Sequence, residues 1–415
     1  MEKRAPLSVK NTYIQRYAWP TTYLKEQDSL KDTHFIVVIP AFRESEILRT
    51  LQSLNDCIPP GKEALVLVVI NEPENCTPDI LKINQQCKEE VDHFRSWFHL
   101  RSIHVTLPEK KAGVGTARKI GMDEAVRVFS HHQRDGIIIC LDADCTCSDN
   151  YLQAIESYYS HPVHQTGLVY YEHPIHGENA AAMIRYELFL RYYVDALRLT
   201  GCPHAFQTVG SCMTVRSAAY QKQGGMNTRQ AGEDFYFIHK MMRFGGVGEI
   251  NKATVYPSDR ISDRVPFGTG HALNKHQSGE PLDTLYAPAT FEELRMAFGQ
   301  VSAVFAGAYD FRANTSSALR EFYQHSNFYA DLEEMRRQST TLDAFRKRYF
   351  GWWDGFRTLK FIHFARDHFY PNIPLAEAAH WLISSFGGYG VPLSDPAAQL
   401  NFLRSKDRKT NFYIR

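Results

Sequence analysis

A chain of 415 residues can bury a sizeable core and has room for two domains, or for one large domain with an appendage. Its 47 Lys and Arg stand against 46 Asp and Glu, so a formal charge of +1 removes any bulk electrostatic case for nucleic acid as a partner. No run of about 18 apolar residues occurs, which excludes a spanning helix, and Met1-Glu2-Lys3-Arg4-Ala5-Pro6 lacks the apolar stretch of a secretory signal. The eight cysteines have no framework spacing, so reduced thiols in a cytoplasmic setting are expected.

Residues 1–33 are polar and aromatic without a clear period and read as an arm lying on the body of the fold. The first strong signal is His34-Phe35-Ile36-Val37-Val38-Ile39-Pro40, a β-branched run of the kind found in strands covered on both faces. Ala41-Phe42-Arg43-Glu44 follows, then a helix with Ile47, Leu48, Leu51 and Leu54 at helical spacing, closed near Pro59-Pro60-Gly61. A second buried run over 64–70 ends in Asn71-Glu72. A helix is predicted over 78–98 and a strand over 99–106, followed by a glycine-bearing turn over 110–119 that opens a helix through Met122, Ala125, Val126 and Phe129. The fourth run, Gly136-Ile137-Ile138-Ile139-Cys140-Leu141-Asp142-Ala143-Asp144, stops at two acids.

Strand and helix thus alternate four times, which predicts an α/β fold with a mostly parallel sheet flanked by helices. Ligands of such sheets sit beyond the carboxyl ends of the strands. Further strands are predicted over 167–172 and 210–215, and helices over 179–200 and 235–244. A long polar loop follows over 256–271. From about 290 the pattern is helical: 290–309, 315–338, 341–350, 359–370 and 375–386. The expected division is an arm at 1–33, a sheet domain at 34–280 and a helical region at 281–415.

On an extended chain Asp142 and Asp144 point the same way, and two carboxylates on one side of a strand end repel unless a cation sits near them. The pair is therefore a candidate Mg²⁺ or Mn²⁺ site with positions open for diphosphate oxygens. A merely capped strand end, with Ser148-Asp149-Asn150 starting the next helix, is the plainer alternative. Cys140, Cys145 and Cys147 crowd this edge, but no second thiol pair stands at zinc-ligand spacing. Glu233 and Asp234 open a predicted helix, where first-turn acids are common for structural reasons alone. The 111–115 turn lacks the ending of a P-loop, and no Gly-x-Gly-x-x-Gly follows the first strand.

As a set, Ile39-Pro40-Ala41-Phe42-Arg43-Glu44, the turn from Lys111 to Arg118, Asp142-Ala143-Asp144, Gly210-Ser211-Cys212-Met213 and Gly232-Glu233-Asp234 resemble the family 2 glycosyltransferases in order and rough spacing. The resemblance spans about residues 34–260. It implies a GT-A nucleotide-diphospho-sugar transferase fold and inverting transfer of a sugar from a nucleotide-diphosphate donor to an acceptor hydroxyl. It further implies that Pro40, Ala41 and Glu44 flank the nucleotide and that Lys111 and Arg118 approach it. Asp142 and Asp144 would hold Mg²⁺ or Mn²⁺ on the diphosphate, with Asp142 also near the nucleotide, and Asp234, paired with Glu233, would act as general base. Where the family has an acid ending the second strand, this chain has Asn71-Glu72, with Glu72 as the substitute. The family's arginine-tryptophan acceptor motif is absent, and the loop carrying Arg260, Arg264 and His271 takes its place, offering positive charge or, in His271, a further metal ligand.

Two rivals share these residues. A nucleotidyltransferase would use the same edge, a metal and acids, but calls for a glycine-rich, Arg- and Lys-bearing loop straight after the first strand. A non-catalytic sugar-nucleotide-binding scaffold would dispense with Asp144 or Asp234. His176 and His204 are rival metal ligands. The helix over 179–200 and the basic-aromatic stretch over 345–353 are read either as a peripheral contact with the inner membrane face, as an acceptor pocket, or as aromatic core. Nucleobase, sugar, acceptor and oligomeric state are left open.

Overall fold

A computed structural model describes residues 11–25, 27–260, 268–270, 273–274 and 283–414. They form two compact units: one of residues up to Glu172, Thr208–Ser258 and Thr410 onward, the other of His173–Gln207 and Asp259–Lys409. The chain thus passes between units more than once, whereas the sequence suggested a single division near 280.

The first unit is built on a nine-stranded sheet. Its strands are β1 (Thr33–Ala41), β2 (Glu63–Pro73), β3 (His99–Leu107), β4 (Ile137–Cys140), β5 (Thr146–Cys147), β6 (Thr166–Tyr171), β7 (Met213–Arg216) and β8 (Val247–Tyr256). After β9 (Thr284–Leu285) and β10 (Ile373–Pro374) in the second unit, β11 (Tyr413–Ile414) completes it. The order is β11-β8-β6-β7-β4-β1-β2-β3, with β5 pairing β8. Strands β1 to β4 are mutually parallel where they pair, while β7 runs antiparallel to both β4 and β6. This is the α/β arrangement expected, a sheet flanked by helices, with α1 (Thr12–Arg16), α2 (Ile47–Asn55), α3 (Pro78–His93), α4 (Val114–His131) and α5 (Tyr151–Tyr159) following in chain order. Strands β8 and β11 and the short β5 are additions that the sequence reading did not contain.

Ile36 to Ile39 and Leu65 to Ile70 are wholly buried or nearly so, as the unbroken apolar runs require. Gly121 lets α4 lie close on this layer: a Cβ there would fall 2.4 Å from a Val38 methyl. The described part of the arm is tied down by polar groups. Asp123, fully buried on α4, accepts from the Tyr13 hydroxyl (2.7 Å), the Trp19 N–H (2.7 Å) and the Tyr220 hydroxyl (2.8 Å).

The second unit is helical. It comprises α6 (Ala180–Leu199) and, beyond α7 (Ser217–Lys222) and α8 (Glu233–Met242) of the first unit, α9 (Pro288–Gly299), α10 (Val301–Phe305), α11 (Ser317–His325), α12 (Phe328–Arg337), α13 (Leu342–Trp352), α14 (Gly355–His368), α15 (Leu375–Ser385) and α16 (Pro396–Lys409). Phe345, Tyr349, Trp352 and Trp353 all lie in its apolar core, so these rings are packing groups and no surface patch. Among the described residues no helix is long and apolar enough to cross a membrane.

A buried ionic set fastens α6 to α16. Glu187, fully buried, accepts from Arg191 (2.7 Å), from Arg404 (2.8 and 2.6 Å) and from the His173 backbone N–H (2.8 Å). Burial alone would raise its pKa, but these cations and hydrogen bonds outweigh it and hold the carboxyl well below the usual range. Removing one partner of such a set leaves the others charged and dry. Glu187→Ala is therefore expected to destabilise the helical unit by about 3–5 kcal/mol, and Glu187→Gln by less, read by urea denaturation. A loss under about 1 kcal/mol for Glu187→Ala would show the set to be dispensable.

Candidate active site

The carboxyl ends of β1, β2 and β4 define one edge of the first unit's sheet. At β1, Pro40 and Ala41 pair with Val69 and Ile70 of β2. The next residue but one, Arg43, has φ 50°, a left-handed conformation that a side chain disfavours, and its N–H donates to Asn84 Oδ1 at 2.9 Å. Asn84 is fully buried on α3 in line with Cys87 and Val91, and its amide also donates to Glu72 Oε2 at 2.9 Å. Glu72 is the last residue but one of β2, at the strand end where the sequence put it. Its Oε1 accepts from Thr106 (3.3 Å), and His104 Nε2 stands 3.0 Å from Oε2. Burial pushes Glu72 up, but the bonds from Asn84 and His104 prevail and set it below the ordinary carboxylate range.

Asn71, oriented to donate to the Ala41 carbonyl (3.2 Å) and accept from the Gly113 N–H (3.3 Å), links the end of β1 to the turn before α4. Glu44 is buried and accepts the Glu46 N–H at 2.9 Å. Lys111 is exposed on a 3-10 turn, Glu109–Lys111, with no ion pair among the described residues.

Asp142 and Asp144 lie past the last residue of β4, in a turn closed by the Cys145 N–H on the Asp142 carbonyl (3.1 Å). The strand alternation argument therefore does not apply to them, because the backbone has already left the extended form. Two contacts fix the turn instead. Buried Thr50 on α2 donates to the Ala143 carbonyl at 2.7 Å, and Arg118 on α4 pairs with Asp142 Oδ1.

Arg118 is 3% exposed and sits in the second turn of α4, not in the loop before it. Its Nη2 donates to Asp142 and its Nη1 to Glu233, the first residue of α8. A Cβ on Gly210 would fall 2.5 Å from Nη1, so only glycine leaves room for the guanidinium. Gly115, in the first turn of α4, leaves room for a different neighbour: a Cβ there would meet the Arg229 carbonyl at 2.2 Å. Asp234 is next to Glu233 and half-buried; its Oδ1 accepts the Phe235 N–H at 2.7 Å. Gly232, in the left-handed region at φ 73°, turns the chain into this helix start.

Of the residues singled out from sequence, Asp142 and Glu233 both pair with the Arg118 guanidinium, and Asp234 follows Glu233 in the first turn of α8. Arg264 and His271 lie outside the described residues. His204 hydrogen-bonds through Nε2 to the Phe350 carbonyl at 2.8 Å, and His176 is exposed.

Residues 36–224 match Glycosyl transferase family 2. The chain carries a family 2 glycosyltransferase domain. Among solved structures, S. aureus TarS 1–349 in complex with UDP-GlcNAc is similar, with 15% identity over 80% of this chain and 90% of that one at a TM-score of 0.40. The same TarS segment in complex with UDP has 16% identity over 81% and 92%, at 0.38. GalNAc-T7 with UDP, GalNAc and Mn²⁺ has 13% identity over 74% of this chain and 55% of that one, also at 0.38. No curated protein sequence matches this one.

Glu233 and Asp234 are held away from their ordinary protonation. Burial, opposed by Arg118 and reinforced by Asp234, pushes Glu233 up to about 7. Burial, again opposed by Arg118, raises Asp234. Near neutral pH the pair therefore holds a proton that isolated acids would have lost. A carboxyl raised from 4.5 to about 7 adds stability that is full below pH 4.5 and is lost as pH climbs through 7. The thermal midpoint of Glu233→Gln is accordingly expected to lack the decline that the parent chain shows between those pH values. Superimposable profiles would mean that folding does not sense this proton.

Among the described residues no group of three or more His, Cys, Asp and Glu is arranged to hold a metal. Two carboxylates with oxygen donors nonetheless fit Mg²⁺ or Mn²⁺, which characteristically take one or two protein carboxylates and complete their shell with water and substrate phosphate oxygens. Of the two, Asp142 is already engaged through Oδ1 by Arg118.

Sequence reasoning missed Asn84 and gave no role to Gly210. For Asn84 the signal was a polar residue on the buried Asn84-Cys87-Val91 stripe of α3; for Gly210 nothing in the sequence named the guanidinium it faces.

Proposed function

We propose that the chain is an inverting glycosyltransferase that moves a sugar from a nucleoside-diphosphate donor to an acceptor hydroxyl with the help of Mg²⁺ or Mn²⁺. The observation that carries this reading is the pairing of Asp142, just past β4, and Glu233, at the start of α8 beside Asp234, with one buried guanidinium, that of Arg118. Pro40, Ala41, Glu44 and Glu72 flank the nucleotide. Glu72 acts from within β2 by fixing Asn84 and, through it, the Arg43 turn.

Asp142 and Asp144 would hold the metal ion, which when bound neutralises the departing diphosphate. Asp234 accepts the acceptor's hydroxyl proton as the new bond forms. Its raised pKa suits this task, since a base works best when its affinity for protons is near the operating pH. Glu233 is fully buried and committed to Arg118, so it positions the guanidinium and leaves the proton transfer to Asp234. Arg118, always charged, holds Asp142 in place through Nη2.

A calorimetric and thermal-shift screen of UDP-, GDP-, TDP- and ADP-sugars, each with and without Mn²⁺, tests the reading. One nucleotide sugar is expected to bind, more tightly with the metal. Binding of none in either condition would sink it.

A further inference from the structure

The helical unit contains a cleft of about 300 Å³ that shares no residue with the carboxylate cluster. It lies between the C-terminal end of α6 and the helices α9 and α15, and its lining includes Thr200, Phe291, Glu292, Arg295, Trp381 and Ser385. Its floor is aromatic and rigid. The Phe291 and Trp381 rings lie near parallel, 26° apart with centroids at 6.5 Å, and Tyr192 sets its edge against both, at 5.6 and 6.3 Å. Tyr192 is itself fixed by its hydroxyl on the Tyr286 carbonyl at 2.6 Å. The rim is polar. Glu292 and Arg295 are exposed, and neither has an ion pair or hydrogen bond among the described residues, although they stand three apart on one helix.

We propose that this cleft binds a saccharide unit of the acceptor or product glycan, which rests on the transferase reading above for the role of the bound sugar but not for the binding itself. A pyranose ring has a C–H face that lies against an aromatic plane and a girdle of vicinal hydroxyls that both donate and accept. A half-buried indole in the lining, beside one exposed carboxylate and one exposed guanidinium, answers both halves of that description. The two opposite charges cancel, which disfavours a phosphate or another strong anion. The volume is at the lower limit for small-molecule clefts, too small for a lipid chain or a peptide helix.

The test uses the full chain and saturation-transfer NMR with glucose, galactose, N-acetylglucosamine and a tetrasaccharide of each. At least one is expected to receive saturation, and the signal to weaken at least about tenfold in affinity in Trp381→Ala and in Arg295→Ala. Asp234→Asn should leave it intact. Tighter binding of a tetrasaccharide supports a glycan unit as the occupant, and binding of a monosaccharide alone would count against it. Arg295→Ala and Glu292→Ala alter exposed groups and spare the core, so they keep the test decisive if Trp381→Ala does not fold. No saccharide binding, binding unchanged in Arg295→Ala and Glu292→Ala, or displacement by UDP would overturn the proposal. Failure of the nucleotide-sugar screen with saccharide binding intact would instead sink the transferase reading alone.

Discussion

Replacing Asp234 by Asn is expected to lower kcat by about 10²- to 10⁴-fold, the range that a positioned general base supplies, with donor affinity unchanged. The substitution keeps shape and keeps an oxygen for the Phe235 N–H that now bonds Oδ1 at 2.7 Å, so the start of α8 should hold. What disappears is one negative charge and the ability to take a proton. A helix start favours the ionised form of an acid, but burial works against that at Asp234 and raises it. The consequence is a pH dependence: kcat of the parent should rise with an apparent pKa above that of an ordinary aspartate, and the Asn variant should lose this limb. Steady-state kinetics over pH, with donor affinity measured by calorimetry, read both effects. Turnover within a few-fold of the parent would remove Asp234 from the chemistry.

The parts of the fold that could be read from sequence were those written in local pattern. Strands β1, β2 and β3 and helices α2, α4 and α6 announce themselves by apolar runs or periodicity, and each lies within a few residues of its expected place. The 78–98 helix stops at His93, because Phe94 turns extended. Strand β8 escaped because Val247 to Tyr256 mixes Glu, Asn, Lys and Thr with its apolar residues, and β11 because two residues carry no period at all. Their pairing is decided by partners far away in sequence. The interleaving of the two units was invisible for the same reason: α6 has the apolar stripe of any packed helix, and nothing local says which core it joins.

The candidate site divides along the same line. Asp142, Glu233 and Asp234 stood out because acids that end a buried run or start a helix are visible in one dimension. Arg118 was noticed only as one cation in a basic turn. That it sits on the helix, buried between Asp142 and Glu233, follows from α4 closing on β1 through Gly121 and from Gly210 leaving space. No spacing rule carries that information.

Arg118→Ala is the second large expected effect, and it should combine loss of activity with loss of stability. The guanidinium is the positive group that Asp142 and Glu233 both bond. Removing one partner of a buried charge set costs about 3–5 kcal/mol, because the remaining charges stay desolvated and unpaired. Glu233, already pushed up to about 7, can relieve part of this by holding its proton at neutral pH, so the deficit should be smaller at pH 6 than at pH 8. Arg118→Lys should not restore turnover. A lysine keeps the charge but presents a single nitrogen, and Asp142 and Glu233 are held by two separate arms of one planar group. Gly210→Ala offers the complementary perturbation, since its methyl would displace the guanidinium without removing it. It should reduce kcat while costing less stability than Arg118→Ala. Urea denaturation at the two pH values and kcat for the three variants separate the roles. If Arg118→Ala folds as stably as the parent at pH 8, the guanidinium does not hold the two chain segments together. The proximity of Asp142 to the start of α8 would then need another cause.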